Sequence, residues 1–205
     1  VFAEAHSFIG EISDWDMSSV ISMTNMFYQA RSFNGSLSKW DVSSVQNMYG
    51  IFQSASSFNS DISKWDVSRV QNMYAMFRMA LSFNGDISKW NVASVQNMYS
   101  MFNKAWAFNC DISEWDVSSV TNMDAMFGEA ISFKQKLCGD AWVHSKASKN
   151  AMFTASRGSI SRTECTSTPT PKLVTHRPLT ERELKIVRAP STIPASASTL
   201  VITFT

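Results

Sequence analysis

At 205 residues, with 18 Lys and Arg against 17 Asp and Glu, the chain is long enough to bury a core and too balanced in charge to demand a polyanionic partner. Three cysteines, Cys110, Cys138 and Cys165, are too few for a disulfide scaffold, and the odd number leaves at least one thiol unpaired. No stretch approaches the ~18 to 20 consecutive apolar residues needed to cross a bilayer, so no membrane-spanning segment is expected.

The chain opens Val1-Phe2-Ala3 and joins a repeat partway through a unit, which places any leader peptide outside this stretch. Sliding the sequence against itself by 25 positions aligns Phe8, Phe33, Phe58, Phe83, Phe108 and Phe133 without a gap. Ile12, Leu37, Ile62, Ile87, Ile112 and Leu137 follow in register, then Trp15, Trp40, Trp65, Trp90 and Trp115. Val20 to Val120, Met23 to Met123, Phe27 to Phe127 and Ala30 to Ala130 recur with the same period. One unit of this size cannot bury its own apolar face, whereas stacked units share a continuous one, so these positions are expected to form core ladders.

Within the second unit, Asn34 and Gly35 supply a turn, as Gly10 and Gly85 do at the same repeat position. Leu37-Ser38-Lys39-Trp40-Asp41-Val42 alternates apolar with polar imperfectly and predicts a short strand near 38–42. Val45, Met48, Phe52 and Ala55 fall at i, i+3, i+7 and i+10, the face of a short helix, with Ser43 or Ser44 as its N-cap. A strand and a helix per coil give an α/β solenoid resembling a leucine-rich-repeat stack with aromatics in place of leucine; the alternative is a coil made mostly of turns.

After residue 133 the register loosens. Trp142 comes two positions late and Met152-Phe153 one position late, so Leu137 to Phe153 predicts a degenerate last coil that caps the stack. Cys110 and Cys138 either bridge adjacent coils or stay as two unrelated thiols. Residues 1–156, with 11 basic and 14 acidic side chains, form the expected repeat domain; residues 157–205, with 7 and 3, read as a disordered Ser/Thr/Pro-rich tail in which Leu200–Phe204 could form a strand.

The run Phe58-Asn59-Ser60-Asp61-Ile62-Ser63-Lys64-Trp65-Asp66-Val67-Ser68-Arg69-Val70-Gln71-Asn72-Met73, closing in Met76-Phe77, resembles the BspA-like leucine-rich-repeat surface proteins, whose 25-residue unit is also known from mycoplasma lipoproteins as the PARCEL repeat. The likeness covers about residues 5–156 and departs at Asn91, where the other regular coils have Asp. It implies a surface-exposed or secreted protein engaged in adhesion and protein contact, and supplies no catalytic residues.

No catalytic constellation is visible. His6, His144 and His176 lie outside the regular coils and pair with no nucleophile motif, which makes them surface or tail histidines, and phosphate-binding and paired-cysteine motifs are absent. Stacked carboxylates at Asp16, Asp41, Asp66 and Asp116, and at Asp61, Asp86 and Asp111, could hold Ca2+, but an Asp two residues before a Ser more simply accepts a backbone N–H at a turn. Asn47, Asn72, Asn97 and Asn122 could bond along a ladder of their own. No cofactor and no metal is expected, and the acidic coils argue against nucleic acid.

Function is therefore sought where the units differ. One such position reads Thr24, Tyr49, Tyr74, Tyr99, Asp124 and should point away from the core; another reads Asp14, Lys39, Lys64, Lys89, Glu114. Tyr49, Tyr74, Tyr99, Lys39, Lys64 and Lys89 thus form a candidate ligand-binding stripe over coils two to four, suited to a protein or carbohydrate partner. Asn34-Gly35-Ser36 is a formal glycosylation sequon. The expectation is a non-catalytic adhesion or recognition module at the cell surface; an intracellular interaction scaffold is the alternative.

Overall fold

A computed structural model describes residues 1–165; residues 166–205, with most of the expected tail and the Leu200–Phe204 segment, lie outside the described residues. Isolated parallel bridges join Ser22 to Asn47, Asn47 to Asn72, Asn72 to Asn97, Asn97 to Asn122 and Asn122 to Ser148. Successive units therefore stack side by side in register, with one parallel bridge between each coil and the next.

The strand expected near 38–42 and the helix expected over Val45–Ala55 are absent from this structure. Both segments are chains of tight turns, with backbone bonds from Trp40 N–H to Leu37 O (3.2 Å), Val45 to Val42 (2.9 Å), Ile51 to Met48 (3.4 Å) and Ala55 to Phe52 (3.0 Å). A turn closed from i+3 to i directs both of its ends inward, so a three-residue apolar spacing fits a string of turns as well as a helix face. The alternate N–H groups decide between them. Met48, Gly50, Phe52 and Ser54 donate across the stack to Asn72, Tyr74, Met76 and Arg78 carbonyls at 2.7–3.0 Å, bonds that an α-helix would have spent within the coil. Left-handed residues recur at two places per coil, as at Gly50 (φ 58°) and Ser54 (φ 61°), then Ala75 (51°) and Met79 (57°), and turn the chain so that every second N–H faces its neighbour. Ser43, expected as a helix cap, instead donates its N–H to Asp41 Oδ1 at 3.0 Å.

Aromatic ladders fill the interior. Phe27, Phe52, Phe77, Phe102 and Phe127 stack at 5.5–5.6 Å, and Trp40, Trp65, Trp90 and Trp115 at 6.4–6.5 Å with nearly parallel rings. Phe33, Phe58, Phe83, Phe108 and Phe133 form a second phenylalanine ladder, all fully buried. At ~25 cal/mol per Å2 of apolar surface, these rings are the main source of stability. Each indole also satisfies a backbone group of the preceding coil: Trp65 Nε1 donates to Leu37 O and Trp90 Nε1 to Ile62 O, both at 3.1 Å.

The closing coil contains β1 (Lys136–Leu137), α1 (Asp140–Val143) and β2 (Ser159–Ile160), with β1 and β2 parallel. Trp142 is fully buried and donates Nε1 to Ile112 O at 3.0 Å, while Phe153 stacks on Phe127 at 5.4 Å. The boundary drawn after residue 156 falls too early. Arg157 and Ser159 donate to Phe133 and Gln135 carbonyls, and Cys165 forms a disulfide with Cys138, so residues 157–165 still belong to the stack. Cys110 does not bridge to Cys138; it remains an unpaired, half-buried thiol whose pKa burial pushes up.

Candidate functional site

The variable tyrosines sit on turns immediately after the bridging asparagines. Asn47, Asn72 and Asn97 each accept, through Oδ1, the N–H of Tyr49, Tyr74 and Tyr99 at 3.0 Å, which fixes the direction in which each ring leaves the backbone. The asparagine side chains therefore bond within their own coils. The rings stack face to face at 4.7 Å (Tyr49–Tyr74) and 4.9 Å (Tyr74–Tyr99). All three are half-buried rather than fully exposed, because each covers its neighbour. Burial, then the adjacent Tyr49 and Tyr99, push the Tyr74 phenol up. The row ends at Asp124, which accepts Ser148 Oγ at 2.6 Å and Asn150 N at 2.7 Å; the Ser148 bond chiefly holds its carboxyl below the usual range.

Lys39, Lys64 and Lys89 are exposed and lie in a different turn of the coil from the tyrosines. Lys39 pairs with Asp14 of the preceding coil at 2.8 Å, a solvated pair in which each partner favours the charged form of the other. Lys64 and Lys89 form no ion pair among the described residues. The structure brings the tyrosines into mutual contact and leaves the lysines as separate surface charges.

The aspartates close turns. Asp16, Asp41, Asp66 and Asp116 accept the N–H of Ser18, Ser43, Ser68 and Ser118 at 3.0 Å, and Asp61, Asp86 and Asp111 that of the Ser two residues on at 2.9–3.0 Å. In Asp16, Asp41, Asp61, Asp66, Asp86 and Asp116, the side-chain and backbone bonds from that Ser hold the carboxyl below its ordinary pKa. A second asparagine ladder escaped the sequence reading. Asn34, Asn59, Asn84 and Asn109 each accept, through Oδ1, the backbone N–H one coil further on, at 2.8–3.0 Å. Asn34, the sequon asparagine, is thereby tied into the stack. His6 is exposed and contacts Gln29 O through Nδ1 at 2.8 Å, and His176 lies outside the described residues.

A further row was missed. The residue after each buried alanine reads Arg31, Ser56, Leu81, Trp106, Ile131, and its last members turn apolar while facing solvent: Trp106 is 48% and Ile131 58% exposed. Backbone bonds from Ala107 to Leu81 O and from Ser132 to Trp106 O set these rungs side by side. The signal lay in the same comparison of unequal repeat positions that found the tyrosines. Among the described residues, no helix is long and apolar enough to cross a membrane.

Residues 1–105, and again residues 62–163, match the family described as "Mycoplasma protein of unknown function, DUF285". The chain belongs to that family. Its two overlapping matches span the stacked coils, including the register shift at Trp142. No curated protein and no solved structure matches the chain.

Proposed function

We propose that this DUF285 chain is a non-catalytic binding or adhesion module, a turn-rich solenoid displayed outside the cell that recognises a protein or carbohydrate through its unequal repeat positions. The observation that carries this reading is the Tyr49–Tyr74–Tyr99 stack: three half-buried aromatics, absent from the flanking coils, held in one orientation by backbone bonds. Because neighbouring rings cover one another, a partner meets mainly edges and hydroxyls. That favours hydrogen bonding to a protein or to sugar hydroxyls over stacking of a sugar ring on an open aromatic face. Trp106 and Ile131 add exposed apolar surface of the kind that anchors protein partners.

Placement outside the cytosol is supported by the Cys138–Cys165 disulfide, a bond that persists in oxidising surroundings. The likeness of the unit to BspA-like surface repeats agrees with the same placement, and the disulfide weighs against an intracellular scaffold. The test is binding of the purified chain to a panel of immobilised glycans and extracellular-matrix proteins, alongside a Tyr49→Ser/Tyr74→Ser/Tyr99→Ser variant. The triple variant should stay folded, because its backbone bonds remain, and should lose about tenfold or more in affinity, the order expected when central aromatic anchors are removed. Undiminished binding by the folded variant would remove the stripe from the proposal.

A further inference from the structure

The closing coil carries a side-chain cluster that the repeat neither requires nor explains. Asp140 opens α1 and His144 caps it, four residues apart on one turn, so the two side chains lie on the same side. His144 Nδ1 approaches Asp140 Oδ1 at 2.8 Å and Asp140 O at 3.2 Å. The third member comes from elsewhere in sequence. The Cys138–Cys165 disulfide, with the Cys165 N–H bond to Cys138 O at 2.7 Å, draws residue 164 back against α1. One ligand atom each from Asp140, His144 and Glu164 then lies within 4.8 Å of the other two.

Two carboxylates and an imidazole form a mixed oxygen and nitrogen donor set, which differs in kind from the turn-closing aspartates of the regular coils. Around one Zn2+ ion, bonds of about 2.0 to 2.2 Å place neighbouring ligand atoms roughly 3 Å apart. The His144–Asp140 separation of 2.8 Å already meets that, and Glu164, exposed and accepting no hydrogen bond among the described residues, can close the rest by rotating. Ca2+ and Mg2+ favour oxygen-only shells, whereas imidazole suits zinc and its neighbours in the transition series.

We propose that Asp140, His144 and Glu164 form an open site for a divalent transition ion of the zinc class, assembled by closure of the Cys138–Cys165 disulfide. Water fills the remaining coordination positions. The site is independent of the tyrosine stripe and makes the intact Cys138–Cys165 disulfide a condition for metal binding.

The test uses the full chain, oxidised and stripped with chelator, titrated calorimetrically with ZnCl2 and separately with CaCl2 at neutral pH. One Zn2+ per chain should bind, with little heat from Ca2+. Glu164→Gln, which removes no hydrogen bond or ion pair among the described residues, and His144→Asn should each weaken Zn2+ binding by about tenfold or more, with tryptophan fluorescence reporting an intact stack. Cys138→Ser/Cys165→Ser, which opens the clip without leaving new thiols to bind metal, should weaken it equally. Absence of Zn2+ heat, or Zn2+ binding unchanged in both ligand variants, overturns the site. Ca2+ binding as tightly as Zn2+ overturns the ion class, and undiminished binding in the double serine variant overturns the dependence on the disulfide.

Discussion

The regular coils and the closing coil solve the same packing problem with different means. In the regular coils each inward ring meets its copy 25 residues on, and the backbone repeats the same turns and crossing bonds. In the closing coil Trp142 arrives two residues late, and the chain between Leu137 and Trp142 takes up the excess in α1. The indole nevertheless reaches Ile112 O, as its counterparts reach the preceding coil, and Phe153 still continues the phenylalanine ladder. What the stack conserves is the inward ring and its bond to the coil before it, while chain length between rings is adjustable. A second difference follows: among the described residues the closing coil has a neighbouring coil on one side only, and a disulfide supplies a constraint of the kind that a further coil would give.

The strongest way to break this comparison is to remove an indole from each region. Trp90 stacks between Trp65 and Trp115 and satisfies Ile62 O, so Trp90→Ala should cost about 3 to 5 kcal/mol in urea unfolding, with protection from hydrogen exchange lost on both sides of the coil. Trp142→Ala should open residues 134–165 first and leave the central coils protected. A single shared transition for both variants would show that the two regions are one cooperative unit. Opening the disulfide comes next. Cys138→Ser/Cys165→Ser closes no 27-residue loop and should lose roughly 3 kcal/mol, read as exchange confined to the closing coil.

These differences also mark what the sequence makes legible. The period, and the positions of Phe52, Trp65 and their copies, can be read directly, because a buried ring tolerates little substitution and recurs visibly. The Tyr49–Tyr74–Tyr99 row can be read for the opposite reason, as a place where units differ. The backbone conformation between those rings cannot. Val45, Met48, Phe52 and Ala55 carry a helical spacing that turns reproduce equally well, and left-handed conformation at Ser54 or Met79 has no glycine to announce it. The Cys138–Cys165 pair escaped for a related reason: adjacent coils suggested Cys110 and Cys138 as partners, but Cys165 lies beyond the last ring, in a stretch without the period that reads as tail.

Glycine contacts sharpen the comparison at a smaller scale. A Cβ on Gly139, in the closing coil, would meet the Ser113 carbonyl, a backbone atom that cannot move aside without shifting the adjacent coil. Gly139→Ala should therefore cost about 1 to 3 kcal/mol. A Cβ on Gly50 would meet the Asn25 side chain, which can rotate, and Ala75 already occupies the equivalent left-handed position with φ 51°. Gly50→Ala should cost about 1 kcal/mol, the strain of a left-handed non-glycine residue. Denaturation midpoints in the reverse order would place the tighter contact in the regular coils.

The smallest effect is a pH dependence of the regular coils. They hold Asp16, Asp41, Asp61, Asp66, Asp86 and Asp116 below their ordinary pKa through bonds from the Ser two residues on. A carboxyl whose folded pKa is depressed binds its proton more readily when unfolded. Its contribution is whole above the unfolded value near about 4 and is lost as pH falls through the lower folded value. Urea midpoints should thus stay level from neutral pH to about 5 and decline below about 4. Since these aspartates lie at the surface, each contribution is small and the decline gradual. Asp66→Asn isolates one turn. Asn91 shows that an amide oxygen can replace the carboxylate, accepting Ala93 N–H at 3.2 Å, so the variant should fold and should make the acid decline shallower without moving the neutral-pH midpoint far. An acid decline unchanged in Asp66→Asn would mean that this turn does not contribute to the pH response.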